Sequence, residues 1–319
     1  MLKVEGVTVE YGVGRTRIRA LDNASLEIPS LGYTMALVGE SGSGKTTLGS
    51  SLLNLIESPG RIVSGTIEYE GRNILKMSRE ELRRYRGAEV GVIPQSAMNA
   101  LNPIDNIITH LEEALQEHTK ISKREAGEKA IALLKSVGIK ENRLADYPHE
   151  FSGGMRQRVM IAMALLLSPK ILIADEPTSA LDVVVQRQIL NLISKEVRKR
   201  GLSMLFITHE ITLTRNFVED IAVMYSGEIV EVGPTNKILR EPLHPYTEML
   251  VGSLLSLSSQ PAILKSTPLQ SSAEPPLLTG ENLCKFAPRC KYAFDRCWKE
   301  RPRLKQVDNE RMVSCHKFN

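Results

Sequence analysis

The apolar run Met35 to Val38 passes directly into Gly39-Glu40-Ser41-Gly42-Ser43-Gly44-Lys45-Thr46-Thr47, and no helix breaker follows until Ser58-Pro59-Gly60. A buried strand, a glycine-rich turn and a helix start in that order form a loop built to hold phosphate. Gly42 and Gly44 let the backbone turn its N–H groups inward around phosphate oxygens, and the opening helix adds the positive end of its dipole. Lys45 supplies a point charge to the β- and γ-phosphates, and the Thr46 hydroxyl is placed to ligate magnesium. Gly39, Ser41, Ser43 and Thr47 complete the expected contact set. The pattern predicts a nucleoside triphosphate site in an α/β core; a merely flexible Gly/Ser loop has no need of Lys-Thr in this register.

Composition bounds the rest. The chain of 319 residues is long enough for about two domains. Its longest apolar runs, such as Ile161 to Leu167, fall far short of the roughly 20 residues of a membrane helix, and Met1-Leu-Lys-Val-Glu5 lacks a signal-peptide pattern. A soluble, cytoplasmic protein is expected. The formal net charge of +4 is uneven: residues 284–319 hold ten Lys or Arg against four Asp or Glu, leaving 31 against 33 elsewhere. The same tail holds all four cysteines, Cys284, Cys290, Cys297 and Cys315, and the one tryptophan, Trp298. It reads as a separate module.

Leu2 to Glu10 and Gly65 to Glu70 alternate apolar and polar residues, as strands do, and Tyr33 to Val38 reads as a buried strand. Ser122-Lys-Arg-Glu125 has capping-box spacing ahead of the stripe Ala130, Leu133, Leu134 and Val137, with a stop at Gly138. Residues 97–150 are therefore expected as a helical insert. Beyond Phe151, a helix over Met155 to Leu167, a strand over Lys170 to Ala174, a helix over Val183 to Arg200 and a strand over Ser203 to Ile207 predict a parallel sheet with crossovers. Ile221 to Val232 reads as a hairpin turning at Ser226-Gly227. Gly252 to Asn282, rich in Ser, Pro, Leu and Gln, reads as a linker.

Two further patterns carry chemistry. Ile171 to Ala174 is an apolar strand ending in Asp175-Glu176, 130 positions after Lys45. Beside a phosphate loop, Asp175 is expected to reach the magnesium and Glu176 to polarise an attacking water. Ser152-Gly153-Gly154, opening a helix, is a second anion-binding helix start, which one site does not need. The economical reading is a site split between two copies of the fold, with one copy's Ser-Gly-Gly turn closing on the γ-phosphate held by the other.

In this order the motifs resemble those of the ABC ATPase family over residues 1–250. Phe151 to Gln157 resembles its signature, with Phe where Leu is usual. Gln95, after Val92-Ile93-Pro94, is similar to the Q-loop glutamine; Ser179 to Asp182 resembles the D-loop; His209, after Phe206-Ile-Thr, the switch histidine; and Tyr11 the aromatic that stacks on adenine. The resemblance implies catalytic roles for Glu176, His209 and Gln95, magnesium held by Thr46, Gln95 and Asp175, and nucleotide contacts from Tyr11, the phosphate loop, Ser152, Gly153, Gly154 and Asp182. It implies an ABC core with an N-terminal antiparallel β subdomain and a helical subdomain.

Met98-Asn-Ala-Leu-Asn-Pro103, Tyr147-Pro-His149, Met224-Tyr225-Ser-Gly-Glu228 and His244-Pro-Tyr-Thr247 resemble the ATP-binding subunits of dipeptide and oligopeptide importers, although Leu31-Gly32-Tyr33-Thr34 departs from the usual Gly-Glu turn. That resemblance implies ATP hydrolysis driving peptide uptake on the cytoplasmic face of the membrane. The implied partners are a second, homologous ATPase subunit in a heterodimer, two transmembrane permease subunits and an extracytoplasmic solute-binding protein. Relatives with the same architecture import oligosaccharides or nickel. The competing class is a soluble ABC ATPase acting on nucleic acid, favoured by the basic tail; against it, only 106 positions separate Lys45 from Phe151, too few for a long coiled coil, and there is one phosphate loop.

The four tail cysteines are expected to bind a metal centre, because a cytoplasmic setting disfavours two stable disulfides. Structural zinc suits four thiolates, but zinc ligands are usually paired at two-to-four-residue gaps, and here the gaps are five, six and seventeen. The importer resemblance implies a 4Fe-4S cluster on Cys284, Cys290, Cys297 and Cys315, with Arg289, Lys291 and Arg296 expected to offset its charge. Free thiols are the remaining alternative.

Overall fold

The glycine at position 6 decides how the N-terminal sheet faces its core. In the computed structural model, which describes residues 1–14, 16–95, 100–258 and 282–318, strand β1 (Leu2–Val13) buries Leu2 and Val4, then Val7 and Val9. A break in register between Glu5 and Thr8, with Gly6 at φ 59°, shifts the inward set from even to odd positions. Simple alternation over Leu2 to Glu10 is therefore interrupted by a bulge, which costs one extra residue and preserves an apolar face.

The strands that follow are β2 (Thr16–Ile28), β3 (Thr34–Val38), β4 (Gly60–Tyr69), β5 (Arg72–Asn73), β6 (Val90–Ile93), β7 (Ile171–Asp175), β8 (Ser203–Thr208), β9 (Asp220–Tyr225), β10 (Glu228–Pro234), β11 (Lys305–Gln306) and β12 (Met312–Val313). The helices are α1 (Lys45–Ser51), α2 (Arg79–Arg84), α3 (Ile107–His118), α4 (Lys123–Ser136), α5 (Gly153–Leu165), α6 (Val183–Arg200), α7 (Thr235–Arg240) and α8 (Pro245–Ser258).

The chain forms two compact units. One comprises Met1, Ile28–Thr34 and Ile74–Ile207. Its strands β6, β7 and β8 are parallel, with Val90 beside Ile171 and Ile171 beside Ser203. Every residue of β7 and β8 is buried, which explains their unbroken apolar character. Helix α5 lies so close to β6 that a Cβ at Gly91 would meet the Ala164 carbonyl at 2.1 Å. Helices α3 and α4 form the expected insert. The Ser122–Glu125 capping box is formed in both directions, and Ala130, Leu133 and Leu134 are buried. Helix α6 buries Ile189, Ile193 and Val197 and ends at Gly201 in the left-handed conformation, as the sequence predicts.

The other unit comprises Leu2–Glu27, Met35–Asn73 and the described residues from Thr208 on. It contains an antiparallel sheet in the order β2-β1-β4-β5, and a second group in which β3 runs parallel to β9 and β9 pairs antiparallel with β10. The β9–β10 hairpin turns at Ser226 (φ 47°) and Gly227 (φ 83°), the two positive-φ positions of a tight hairpin.

The tail differs from expectation. It belongs to this second unit: β12 pairs antiparallel with β10, Val313 opposite Glu231 and Met312 opposite Val232, and β11 pairs with β12. Helix α8 continues through the first part of the segment read as a linker, to Ser258; residues 259–281 of that segment, and Met98-Asn99 of the importer-like motif, lie outside the described residues. No helix among the described residues is long and apolar enough to cross a membrane.

Candidate nucleotide-binding site

The phosphate loop is held from behind by backbone. A Cβ at Gly39 would lie 2.2 Å from the Met224 carbonyl, and one at Gly44, which sits at φ 102°, would lie 2.4 Å from the Ala20 carbonyl. Only glycine fits both places. The Ser43 carbonyl accepts a hydrogen bond from Gly227 N–H at 2.8 Å, and Ser43 N–H donates to the Glu40 carbonyl at 3.2 Å. Lys45 is buried and donates its Nζ to the Gly39 and Glu40 carbonyls, 2.8 Å each. Its charge therefore lies over the loop's own opening. Ser41 on the loop and Thr46 in the first turn of α1 are exposed, and Thr47 is half-buried. Tyr11, opposite Gly60 on the neighbouring strand, is half-buried, and its ring lies so close that a Cβ on Gly60 would meet it at 2.5 Å. His209 is exposed, 3.9 Å from the Glu210 carboxylate.

Within the first unit, β7 delivers Asp175 buried at its end, and the chain then bends sharply: Glu176 adopts φ 44° and donates its backbone N–H to the Ile207 carbonyl. A left-handed carboxylate residue carries a backbone cost that the surrounding structure must hold in place, and such positions gather at reactive centres. Gln95 donates its Nε2 to Glu176 Oε2 at 3.2 Å, so two of the expected catalytic residues are brought together.

Ser152 and Asp182 have a local task as well. Ser152 caps α5 by accepting from Met155 N–H, and Asp182 caps α6 by accepting from Val184 and Val185 N–H at 3.0 Å each. Capping fixes the start of both helices. Gly154 presses α5 onto α6, since a Cβ there would meet Val185 Cγ1 at 2.6 Å. Phe151, in the place of the usual Leu, is buried under the Arg143 guanidinium, 5.0 Å from its ring centre.

In the tail, all four cysteines are free thiols. Burial pushes Cys284 up to about 12, and Cys297 and Cys315 push the same way, while the Cys315 thiol is raised first by burial and then by Cys290 and Cys297. Backbone N–H groups two residues on face three of the sulfurs: Phe286 toward Cys284, Tyr292 toward Cys290 and Lys317 toward Cys315. Such N–H···S bonds suit metal-bound thiolates. No group of three or more His, Cys, Asp or Glu is arranged to hold a metal ion among the described residues. The basic residues expected to balance a cluster have other partners. Arg289 pairs with Glu40, Lys291 with Glu248 and Arg296 with Glu300.

Sequence reasoning missed the contacts that Glu40, Tyr246, Lys285 and Arg289 make. The Glu40 N–H donates to the Tyr246 hydroxyl at 2.8 Å, and both Glu40 oxygens accept from Arg289. Glu40 is an unspecified position in the loop motif, and its partner lies 249 residues away, so no local pattern announces the pair.

Residues 21–179 match the ABC transporter family and residues 230–297 the C-terminal region of oligopeptide/dipeptide transporters. Over 321 residues the chain is 39% identical to the dipeptide transport ATP-binding protein DppD of Caldanaerobacter subterraneus, covering 100% of this chain and 97% of that one. The chain belongs to the ABC transporter ATP-binding family, in its dipeptide and oligopeptide branch. It is also 39% identical to the oligopeptide transport ATP-binding protein AppD of Bacillus subtilis, covering 99% of this chain and 96% of AppD. The solved dimer of the ATP-binding cassette MJ0796 in a post-hydrolysis state with ADP and Pi superposes with a TM-score of 0.66 at 30% identity, covering 74% of this chain and 99% of that one. The protein is thus an ABC ATPase.

Proposed function

We propose that the chain powers peptide uptake: it hydrolyses ATP at composite sites shared with a second, homologous ATPase subunit and works through two transmembrane permease subunits and an extracytoplasmic solute-binding protein. It would sit on the cytoplasmic face of the membrane. The observation that carries this reading is that similarity to peptide transport ATP-binding proteins runs the whole length of the chain, tail included. A cassette shared with unrelated transporters would match over the core alone.

In this reading the loop N–H groups and Lys45 bind the β- and γ-phosphates, Tyr11 stacks on adenine, and the partner's Ser-Gly-Gly turn, equivalent to Ser152, Gly153 and Gly154, closes the site with Asp182 beside it. Glu176 accepts the proton of the attacking water as its oxygen bonds to the γ-phosphorus and the bond to the β,γ-bridging oxygen breaks, giving phosphate and ADP, and His209 supports the developing charge. Thr46, Gln95 and Asp175 offer the oxygen donors a hard cation prefers; magnesium there would draw charge from the phosphates. Cys284, Cys290, Cys297 and Cys315, none of them in a disulfide, would hold a 4Fe-4S cluster.

The test is uptake of a radiolabelled dipeptide into cells carrying the complete transporter, with the wild-type chain or with Glu176→Gln. Uptake is expected to fall to background in the variant. Unchanged dipeptide uptake together with lost uptake of an oligosaccharide or of nickel would replace the solute assignment.

A further inference from the structure

Glu40 is the second residue of the phosphate loop, and its main polar groups are all assigned. Its N–H donates to Tyr246 Oη at 2.8 Å. Its carbonyl accepts from Lys45 Nζ at 2.8 Å and from Ser43 N–H at 3.2 Å. Its two carboxylate oxygens accept from Arg289 Nη1 and Nη2 at 2.8 and 2.9 Å. Lys45 and Ser43 belong to the loop; Tyr246 and Arg289 come from more than 200 residues downstream.

A guanidinium that grips a carboxylate with both arms fixes orientation as well as distance. The side chains of Arg289 and Glu40 are 24% and 38% exposed, so solvent screening keeps the pair's direct worth to folding small. Its consequence lies in geometry. Rotation of the Glu40 peptide would carry its carbonyl away from Lys45, the side chain that must meet the phosphates.

The same segment of tail supports the loop from its other end. Lys285 donates to the Ser226 carbonyl at 2.9 Å, the neighbouring Gly227 N–H donates to the Ser43 carbonyl at 2.8 Å, and the Gly227 carbonyl accepts from Asp22 N–H at 3.0 Å. Lys285, only 10% exposed, is itself fixed by Asp22 at 2.8 Å and Glu228 at 3.1 Å. Between Lys285 and Arg289 the chain makes a tight 3-10 turn over Ala287–Arg289 that includes Pro288. Phe286 is buried against the rings of Tyr225, His244 and Tyr246. The spacing between the two supports is therefore set by five residues with little freedom to move.

We infer that Arg289 and Tyr246 are positioning residues of the ATP site, with Lys285 as a second prop, so that the tail segment Lys285-Phe286-Ala287-Pro288-Arg289 sets the posture of the phosphate loop and with it the affinity for nucleotide. The inference rests on the ATPase identity of the chain. It holds whatever the cysteines bind and whichever solute is carried.

The test is binding of a fluorescent ADP analogue, MANT-ADP, to the purified full-length chain, with thermal unfolding in the absence of nucleotide recorded alongside. Arg289→Ala is expected to weaken binding about tenfold, the loss typical of one orienting charge-assisted contact. Arg289→Lys, which keeps the charge and loses the fork, should fall between. Glu40→Gln should weaken binding by a similar factor, and the double variant Glu40→Gln/Arg289→Ala should be no worse than the poorer single one, because both remove the same contact. Tyr246→Phe should weaken binding with a melting temperature near wild type. Lys237→Ala, which breaks a tail contact to Glu310 away from the loop, should leave binding unchanged. Should Arg289→Ala fail to fold, Arg289→Lys and Glu40→Gln decide the matter alone. Wild-type affinity in both of these, or affinity losses that only track lowered melting temperatures, would overturn the inference.

Discussion

Gln95 directs its side-chain N–H at the Glu176 carboxylate, 3.2 Å from Oε2. The amide read as a metal ligand and the carboxylate read as the water-polarising group thus touch within one compact unit, and Glu176 is further fixed by its backbone bond to Ile207. Anything that swings Gln95 changes what Glu176 can accept.

Glu176→Gln is expected to bind ATP as wild type does and to hydrolyse it at least about a hundredfold more slowly, the scale expected when a general base or water-orienting group is lost. Phosphate release by the assembled transporter checks this. Turnover at the wild-type rate would remove Glu176 from the catalytic assignment.

Gly154→Ala should destabilise the first unit by roughly 1–3 kcal/mol, the usual cost of an overpacked contact, because the new methyl would lie 2.6 Å from Val185 Cγ1. Adding Val185→Ala should restore most of that loss. Urea unfolding of the two variants checks this: helix propensity alone would make Gly154→Ala stabilising, so a loss that Val185→Ala repairs is steric.

Acid should weaken the second unit through His244. Burial drives its pKa down to about 3, and its Nδ1 accepts from the Tyr246 N–H, which requires the neutral ring. A histidine whose folded pKa lies below its unfolded value of roughly 6.5 contributes stability that is complete above that value and is lost as pH falls toward 3, by about 1.4 kcal/mol per pH unit. Glu231, whose carboxyl is raised by burial and which accepts the His244 N–H, acts in the opposite sense. The clean measurement is the difference in unfolding free energy between wild type and His244→Asn, whose Oδ1 can take over the acceptor role. That difference should change steadily between about pH 6.5 and 4.5; a flat difference would show that His244 does not titrate on unfolding.

Anaerobically purified protein should contain about four iron and four sulfide per chain if the tail holds the proposed cluster, and Cys297→Ser, at the most buried of the four positions, should lose most of both. Stoichiometric zinc without labile sulfide would assign the site to zinc instead.

The phosphate loop, Asp175-Glu176, the Ser122–Glu125 box and the Ser226-Gly227 turn were legible because each depends on residues within a few positions of one another. Their conformations follow from local chemistry: a strand that must be buried, an N–H that needs a cap, a turn that needs positive φ. The tail was legible in composition and misleading in architecture. A two-residue strand such as Met312–Val313 has no period to detect, and its pairing with Glu231 and Val232 is fixed only by the tertiary fold. The surplus of basic residues suggested a charged module facing a cluster or a polyanion. Several of these charges instead meet acids within the chain: Lys285 and Arg301 meet Asp22 and Glu228, and Arg289 meets Glu40, each from a distant part of the chain. Net charge gives no information about such neighbours.

Strand β10 runs Glu228-Ile-Val-Glu-Val-Gly-Pro234, and one side of its ladder is completed by β12 and by the Ser314 N–H bonded to the Val230 carbonyl. Val313 stands 82 positions beyond Glu231, so at roughly 5–20 residues per second a growing chain leaves this apolar edge unmatched for about 4 to 16 seconds. Open strand edges of that kind recruit other strands. The tail therefore also acts as a late seal on nascent protein, and a chain shortened before residue 312 would be prone to aggregate during synthesis even with every ATP-contacting residue present.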